Sequence, residues 1–256
     1  MSLNELNELC PSEWVSFTRS VFEYSYPLDL TWNERRICKY TKSPYLMAQI
    51  IKFFTSSADV VLDPAANVGS TMIGASLCGR QGVAIEEEKE YVYAFAKIQA
   101  NYSTSCGSIV TIEQKGYYDK LLQNAKMHNE SIRMLPEFKV GTVDFALTAP
   151  SSPVDCANTE DMKNYKKWWK TLSDELFRIL ESGRYFVFII GDRFFNGEYY
   201  DLTSEITTLV RGAGFKFKGK RILIDKSKPL NSKAYGIGTN YVPNIEHENL
   251  IVMRKE

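Results

Sequence analysis

At 256 residues the chain is long enough for one large α/β domain, or for a domain with a small appendage. Its 44% apolar and 24% charged content is ordinary for a globular protein. The 31 basic and 31 acidic residues cancel, so bulk charge does not mark a nucleic-acid binder, and any such surface has to come from local clustering. No apolar run approaches the roughly 20 residues of a membrane span, and residues 1–5 lack the charged and apolar regions of a signal peptide. Cys10, Cys38, Cys78, Cys106 and Cys156 are scattered with no C-x-x-C pair, which suits free thiols in a reducing cytosol. His128 and His247 show no zinc-like spacing, so no metal is expected and the expected location is the cytoplasm.

Residues 1–35 are rich in aromatics (Trp14, Phe17, Phe22, Tyr24, Tyr26, Trp32) and carry Pro11 and Pro27. They read as an arm docked on a domain of residues 36–256, with a short helix over 12–24. Ser43 is an N-cap and Pro44 the first position of a helix that runs to 54. Residues 60–62 predict a short buried strand, 70–78 a small-residue helix closed by Gly79, 82–86 a strand and 90–101 a helix. A weaker strand over 108–112 and a helix over 118–128 follow, then a strand over 143–148. After a loop comes a long helix over 162–180, ended by Glu181-Ser182-Gly183, which leads into a strand over 185–190. A helix over 200–213 leads through Gly214 to a strand over 215–217; further strands are expected at 221–224 and 248–253. Strands separated by helices of this length indicate an α/β doubly wound fold, with a mostly parallel seven-stranded sheet and helices on both faces.

In such a sheet, ligands sit at the carboxyl ends of the central strands, where the strand order reverses. Strand 60–62 runs into Asp63-Pro64-Ala65-Ala66-Asn67-Val68-Gly69-Ser70-Thr71, and a glycine turn opening a helix brings backbone N–H groups close to a ligand. Glu86 ends the next strand, where an acid accepts hydrogen bonds from ribose hydroxyls. Strand 143–148 runs into Ala149-Pro150-Ser151-Ser152. Together these segments resemble the cofactor loop and the catalytic loop of the S-adenosylmethionine-dependent DNA amino-methyltransferases (adenine-N6 or cytosine-N4). The family pattern Asp-Pro-Phe-x-Gly-x-Gly-Ser/Thr-Thr is matched at Asp63, Pro64, Gly69, Ser70 and Thr71, and departed from at Ala65 and Asn67.

Thr41-Lys42-Ser43-Pro44-Tyr45 resembles the family's helix start beside the methionine end of the cofactor. Tyr165, Trp168-Trp169, the stretch 172–192 and Tyr241-Val242-Pro243-Asn244-Ile245-Glu246-His247-Glu248 extend the resemblance over about 38–254. It implies a class I methyltransferase-like, Rossmann-like fold. It also implies S-adenosylmethionine as cofactor, met by Ser43, Pro44, Asp63, Pro64, Ala65, Asn67, Gly69, Ser70, Thr71 and Glu86, with weakened or lost binding where Ala65 and Asn67 depart.

An exocyclic amine is a poor nucleophile because its lone pair is delocalised into the base. Enzymes of this family extrude the base and accept its amino hydrogens on an Asp, Asn or Ser side chain and a proline carbonyl, with an aromatic ring stacked on the base. Where the family reads Asp-Pro-Pro-Tyr, this chain has no acceptor at Ala149, keeps the Pro150 carbonyl, loses the second proline at Ser151, and has no ring at Ser152. Asp155 is a neighbouring acid without supporting spacing.

Double-stranded DNA is the partner implied, with phosphate contacts expected from Lys216, Lys218, Lys220, Arg221, Lys226 and Lys228, and with Lys233 in the same region. Lys163, Lys166, Lys167 and Lys170 read as a solvated helix face, with Trp168 and Trp169 in the core. The expected function is that of a family member with a degenerate catalytic loop, inactive or strongly impaired. It would still bind DNA or serve as partner subunit in an oligomer with an active methyltransferase. An active enzyme with a non-standard loop and a scaffold-only interaction module are the alternatives.

Overall fold

The computed structural model describes residues 6–29, 31–105, 120–153, 161–228 and 241–256. The arm opens with helix α1 (Pro11–Phe17), strand β1 (Val21–Tyr24) and a single turn, α2 (Trp32–Arg35). The helix expected over 12–24 thus ends at Phe17. Phe22, Tyr24 and Tyr26 recur at every second residue, a strand period, and Phe22 and Tyr24 turn inward while Val21 and Glu23 face water. β1 lies parallel to β9 (Lys216–Asp225) through Val21–Ile222 to Tyr24–Asp225, so the main sheet has eight strands rather than seven.

Helix α3 (Pro44–Phe54) starts as its sequence dictates: Pro44 takes the first turn and Ser43 Oγ accepts the Tyr45 N–H at 3.3 Å. Next come β2 (Val60–Asp63), α4 (Ser70–Leu77), β3 (Gln81–Ile85), α5 (Lys89–Ser105) and β4 (Lys126–His128). β4 corrects the helix expected up to residue 128: it pairs in parallel with Val83–Ile85 and satisfies the outer edge of β3. The strand expected over 108–112 and the start of the helix at 118 lie outside the described residues.

A 3₁₀ segment (Ile132–Glu137) precedes β5 (Val143–Thr148), α6 (Met162–Ile179) and β6 (Leu180–Ile190). Glu181-Ser182-Gly183 does not form a separate connection. β6 begins where α6 ends and bulges at Gly183, whose φ is +85°, before pairing regularly with β5 from Tyr185. A hairpin of β7 (Arg193–Phe195) and β8 (Glu198–Tyr200) follows, turned by Asn196 and Gly197, both at positive φ. Helix α7 (Leu202–Gly212), β9 and β10 (His247–Arg254) complete the chain, and the two strands expected at 215–217 and 221–224 are one continuous β9.

The sheet order is β1-β9-β10-β6-β5-β2-β3-β4, and only β10 runs antiparallel to its neighbours. This is the mostly parallel, Rossmann-like α/β fold. β5 is buried on both faces, as central parallel strands are: Phe145 and Leu147 pack toward α3, while Val143 and Ala146 face the α6 side with Trp169, Leu172 and Leu176. The arm's Trp14 and Phe17 stack on Phe53 of α3. Chain order reverses between β2 and β5, so Asp63 and Thr148 end side by side at the switch point. Among the described residues, no helix is long and apolar enough to cross a membrane.

Candidate functional site

The turn after β2 is held open by backbone geometry. Gly69 sits at φ +82°, and a Cβ there would lie 2.2 Å from the Phe95 ring, so only glycine lets α4 close on α5. Asn67 also takes a left-handed φ, +50°. Its N–H donates to Glu86 Oε2 at 2.6 Å, and Glu86 Oε1 accepts the Glu88 N–H at 2.9 Å. The Asn67 side-chain amide donates to the carbonyls of Ala65 (3.3 Å) and Ala149 (3.5 Å), so it bridges the two loops.

Asp63 is buried at the tip of β2, where Thr71 Oγ1 and the Ala65 N–H (3.1 Å) donate to it. Burial pushes its carboxyl up to about 6, against the hydrogen bonds from Thr71, Thr148 and Ala65. Glu86 is likewise raised by burial. A carboxyl raised on folding binds protons more readily in the native state. Its contribution therefore falls as pH rises from the unfolded value of about 4 through 6, by about 3 kcal/mol for a single group. Asp63→Asn is expected to flatten the pH dependence of urea unfolding between roughly pH 4 and 6.5, with Glu86 leaving a residual slope of the same sign. An unchanged slope would refute the assignment.

Behind the loop lies a group that sequence reasoning missed. Arg35 is 1% exposed and donates to Thr31 Oγ1, Thr41 Oγ1, the Lys42 carbonyl, Ser70 Oγ and Asp29. It ties the arm, the segment before α3 and the start of α4 to one guanidinium.

The cavity at this loop, about 10 Å³, is lined by Asp63, Ala65, Asn67, Ser70, Thr71 and Ala149 with Tyr40, Thr41, Lys42 and Met47. Ser43, Pro44, Pro64, Gly69 and Glu86 do not line it; Pro64 and Glu86 are buried beside it, and Ser43 and Pro44 serve the helix start. A second cavity of similar size is formed by Ala149, Pro150, Ser151 and Ser152 with Tyr165, Gly191, Arg193 and Glu248. Ala149 and Ser152 are both buried, so residue 152 presents no surface for stacking. Asp155 lies outside the described residues.

A third cavity, of about 670 Å³, falls in the size range of ligand sites. It opens beyond β6, β9 and β10, between Tyr24, Tyr40, Phe194, Asp192, Arg193, Lys226, Lys228 and Glu248. Lys42 and Glu248, 206 residues apart, form an ion pair at 2.6 Å between these cavities. Their sequence separation hid the pair. The motif around each was visible.

The expected nucleic-acid residues divide. Lys226 and Lys228 are exposed at the loop end of the sheet, paired with Glu23 and Asp225. Lys216, Lys218 and Lys220 are exposed on the first half of β9, toward the opposite end. Arg221 is a correction: it is buried, its guanidinium 4.1 Å from the Phe17 ring centre and 4.9 Å from that of Phe22, and its Nε donates to the Arg19 carbonyl. Burial brings it down to about 10, and it pins the arm rather than meeting phosphate. Trp169 is fully buried, as expected, and Lys233 lies outside the described residues.

Residues 16–97 match the DNA methylase family. No curated protein matches the chain by sequence. Among solved structures, a precorrin-6y C5,15-methyltransferase from Geobacter metallireducens GS-15 shares the fold at 12% identity and a TM-score of 0.50, over 83% of this chain and 87% of that one. TrmN from Thermus thermophilus is 14% identical with a TM-score of 0.48, over 78% of this chain. A candidate DNA modification methylase from Thermus thermophilus, solved with S-adenosyl-L-methionine, is 21% identical with a TM-score of 0.37, over 48% of this chain. The chain spans 45% of the TrmN chain and 52% of that of the candidate modification methylase.

Proposed function

We propose that this chain, whose residues 16–97 match the DNA methylase family, is a DNA amino-methyltransferase homologue whose methyl-transfer step is disabled while its donor cleft and DNA-facing end persist. The observation that carries this reading is the loop after β5. Ala149 offers no side-chain acceptor, and its carbonyl is engaged by Asn67. Ser152 is buried and carries no ring.

The residues around Asp63 fit S-adenosylmethionine in kind. Glu86 has both oxygens anchored by backbone N–H groups and keeps lone pairs for ribose hydroxyls. Lys42 offers an ammonium to a carboxylate, and the left-handed turn at Gly69 brings main chain close. When bound, the cofactor supplies an electrophilic methyl group. Asn67 and Lys42 narrow the cleft, and their side chains must turn aside for it to enter. Pro150 still presents a carbonyl to an amine; the second acceptor and the stacking ring are missing. Loss of one such preorganised contact costs ~10²–10³ in rate. Lys226 and Lys228 stand at the loop end, and their exposed ion pairs hold them weakly enough to exchange for phosphate. In an oligomer, the same surface would serve beside an active methyltransferase.

Incubation of the full chain at high concentration with tritiated S-adenosylmethionine and mixed duplex DNA is expected to give no incorporation above background. Clear incorporation would overturn the reading in favour of an active enzyme with a non-standard loop.

A further inference from the structure

Tyr40 and Lys42 line all three cavities at the carboxyl end of the sheet, and Glu248 lines two of them. The Lys42 side chain is 10% exposed, and both Glu248 oxygens lie within 2.7 Å of its Nζ. Two of the three ammonium donors therefore point at one carboxylate. Burial works to raise Glu248, yet Lys42, with Lys228 and Arg193 farther off, holds it below its ordinary range, so this half-buried carboxylate is an anion held in place by cations. A second cation is at hand: Arg193 Nη2 is 3.9 Å from Glu248 Oε1.

Among the described residues, a ligand carboxylate arriving beside Asp63 and Asn67 meets one ammonium in the cavity lining, the one Glu248 already holds. The geometry points to a charge-exchange latch: a carboxylate-bearing nucleoside takes Lys42 from Glu248, and Glu248 turns to Arg193, so that filling the donor cleft reshapes the wall of the large cavity. This rests on the methyl-donor reading of the cleft and adds to it a coupling between donor and acceptor sides. Coupling of this kind is reciprocal. A ligand that occupies Arg193 in the large cavity returns Glu248 to Lys42 and weakens donor binding.

Calorimetry on the full chain, with S-adenosylhomocysteine and with 5′-methylthioadenosine, separates the latch from simple steric closure, because the second nucleoside lacks the carboxylate. Glu248→Gln is expected to raise affinity for S-adenosylhomocysteine about tenfold, within the range of coupled sites, and to leave 5′-methylthioadenosine within about twofold. Lys42→Met should weaken only S-adenosylhomocysteine, by about tenfold or more. Arg193→Gln leaves the Lys42–Glu248 pair intact and should lower the same affinity several-fold, so the latch stays testable if a Glu248 variant fails to fold. Equal gains for both nucleosides, no gain, or no binding of S-adenosylhomocysteine to any of these proteins would overturn it. Methyl transfer by the unaltered chain would instead overturn the disabled-loop reading and leave these affinity ratios standing.

Discussion

Ala149→Asp, Ser151→Pro and Ser152→Tyr, combined with Ala65→Phe and Asn67→Gly in the facing loop, are expected to raise methyl transfer to duplex DNA by ~10⁴ or more over the unaltered chain. Two contributions carry the gain: an acceptor for the amino hydrogens at the tip of β5, and a ring against the extruded base. They act on one reacting nitrogen, so the combination should exceed either change alone and the effects should not add. Asn67→Gly matters for a separate reason. It removes the amide that engages the Ala149 carbonyl and frees the loops to part. The structure also sets a cost. Ala149 and Ser152 are buried, and enlarging both overpacks the site by about 1–3 kcal/mol each unless the loop turns outward. Thermal melting must therefore accompany single-turnover tritium transfer. A folded restored protein that still transfers nothing would show that the deficit lies elsewhere than in these five positions.

The central strands were legible because burial leaves a strong mark. Val60–Asp63 and Val143–Thr148 are short apolar runs bounded by turn residues, and Ser43-Pro44 is a helix start by its own chemistry. What failed was pattern too short or too local. Lys126–His128 has only three residues, which no periodicity resolves. The arm's aromatics invited a helix although Phe22, Tyr24 and Tyr26 alternate, and Asn196-Gly197 is a hairpin turn passed over inside an expected strand-to-helix connection. The lysine clusters carried the least spatial information. Lys216 and Lys226 are neighbours in sequence, but a ten-residue strand at ~3.3 Å per residue puts them roughly 30 Å apart, at opposite ends of the sheet. Asp63 and Glu86 could be read from strand-end position. Lys42 and Glu248 could not be paired, since only the sheet brings residues 206 positions apart to one cleft.

Arg35→Ala is expected to be the most destabilising single change outside the hydrophobic core, by about 3–5 kcal/mol, because removing one member of a buried pair strands the other. Asp29 and Arg35 are 11% and 1% exposed, and burial already presses the guanidinium below its usual range against the pull of Asp29. At roughly 2–4 °C per kcal/mol for a chain of this size, melting should fall on the order of 10 °C. The loss is also local to the donor cleft. Without Arg35, the Thr41 and Ser70 hydroxyls and the Lys42 carbonyl lose their common donor, so the segment carrying Lys42 loosens. Replacing both charges, as Arg35→Met with Asp29→Leu, should recover much of the stability, since an apolar pair of similar volume is often no worse than a buried ion pair. It should not recover nucleoside affinity, because the hydroxyls and carbonyl remain unclamped. If Arg35→Ala shifts melting by less than a few degrees, the guanidinium is a bystander. If the double replacement restores both stability and binding, the arm is held to the cleft by packing alone.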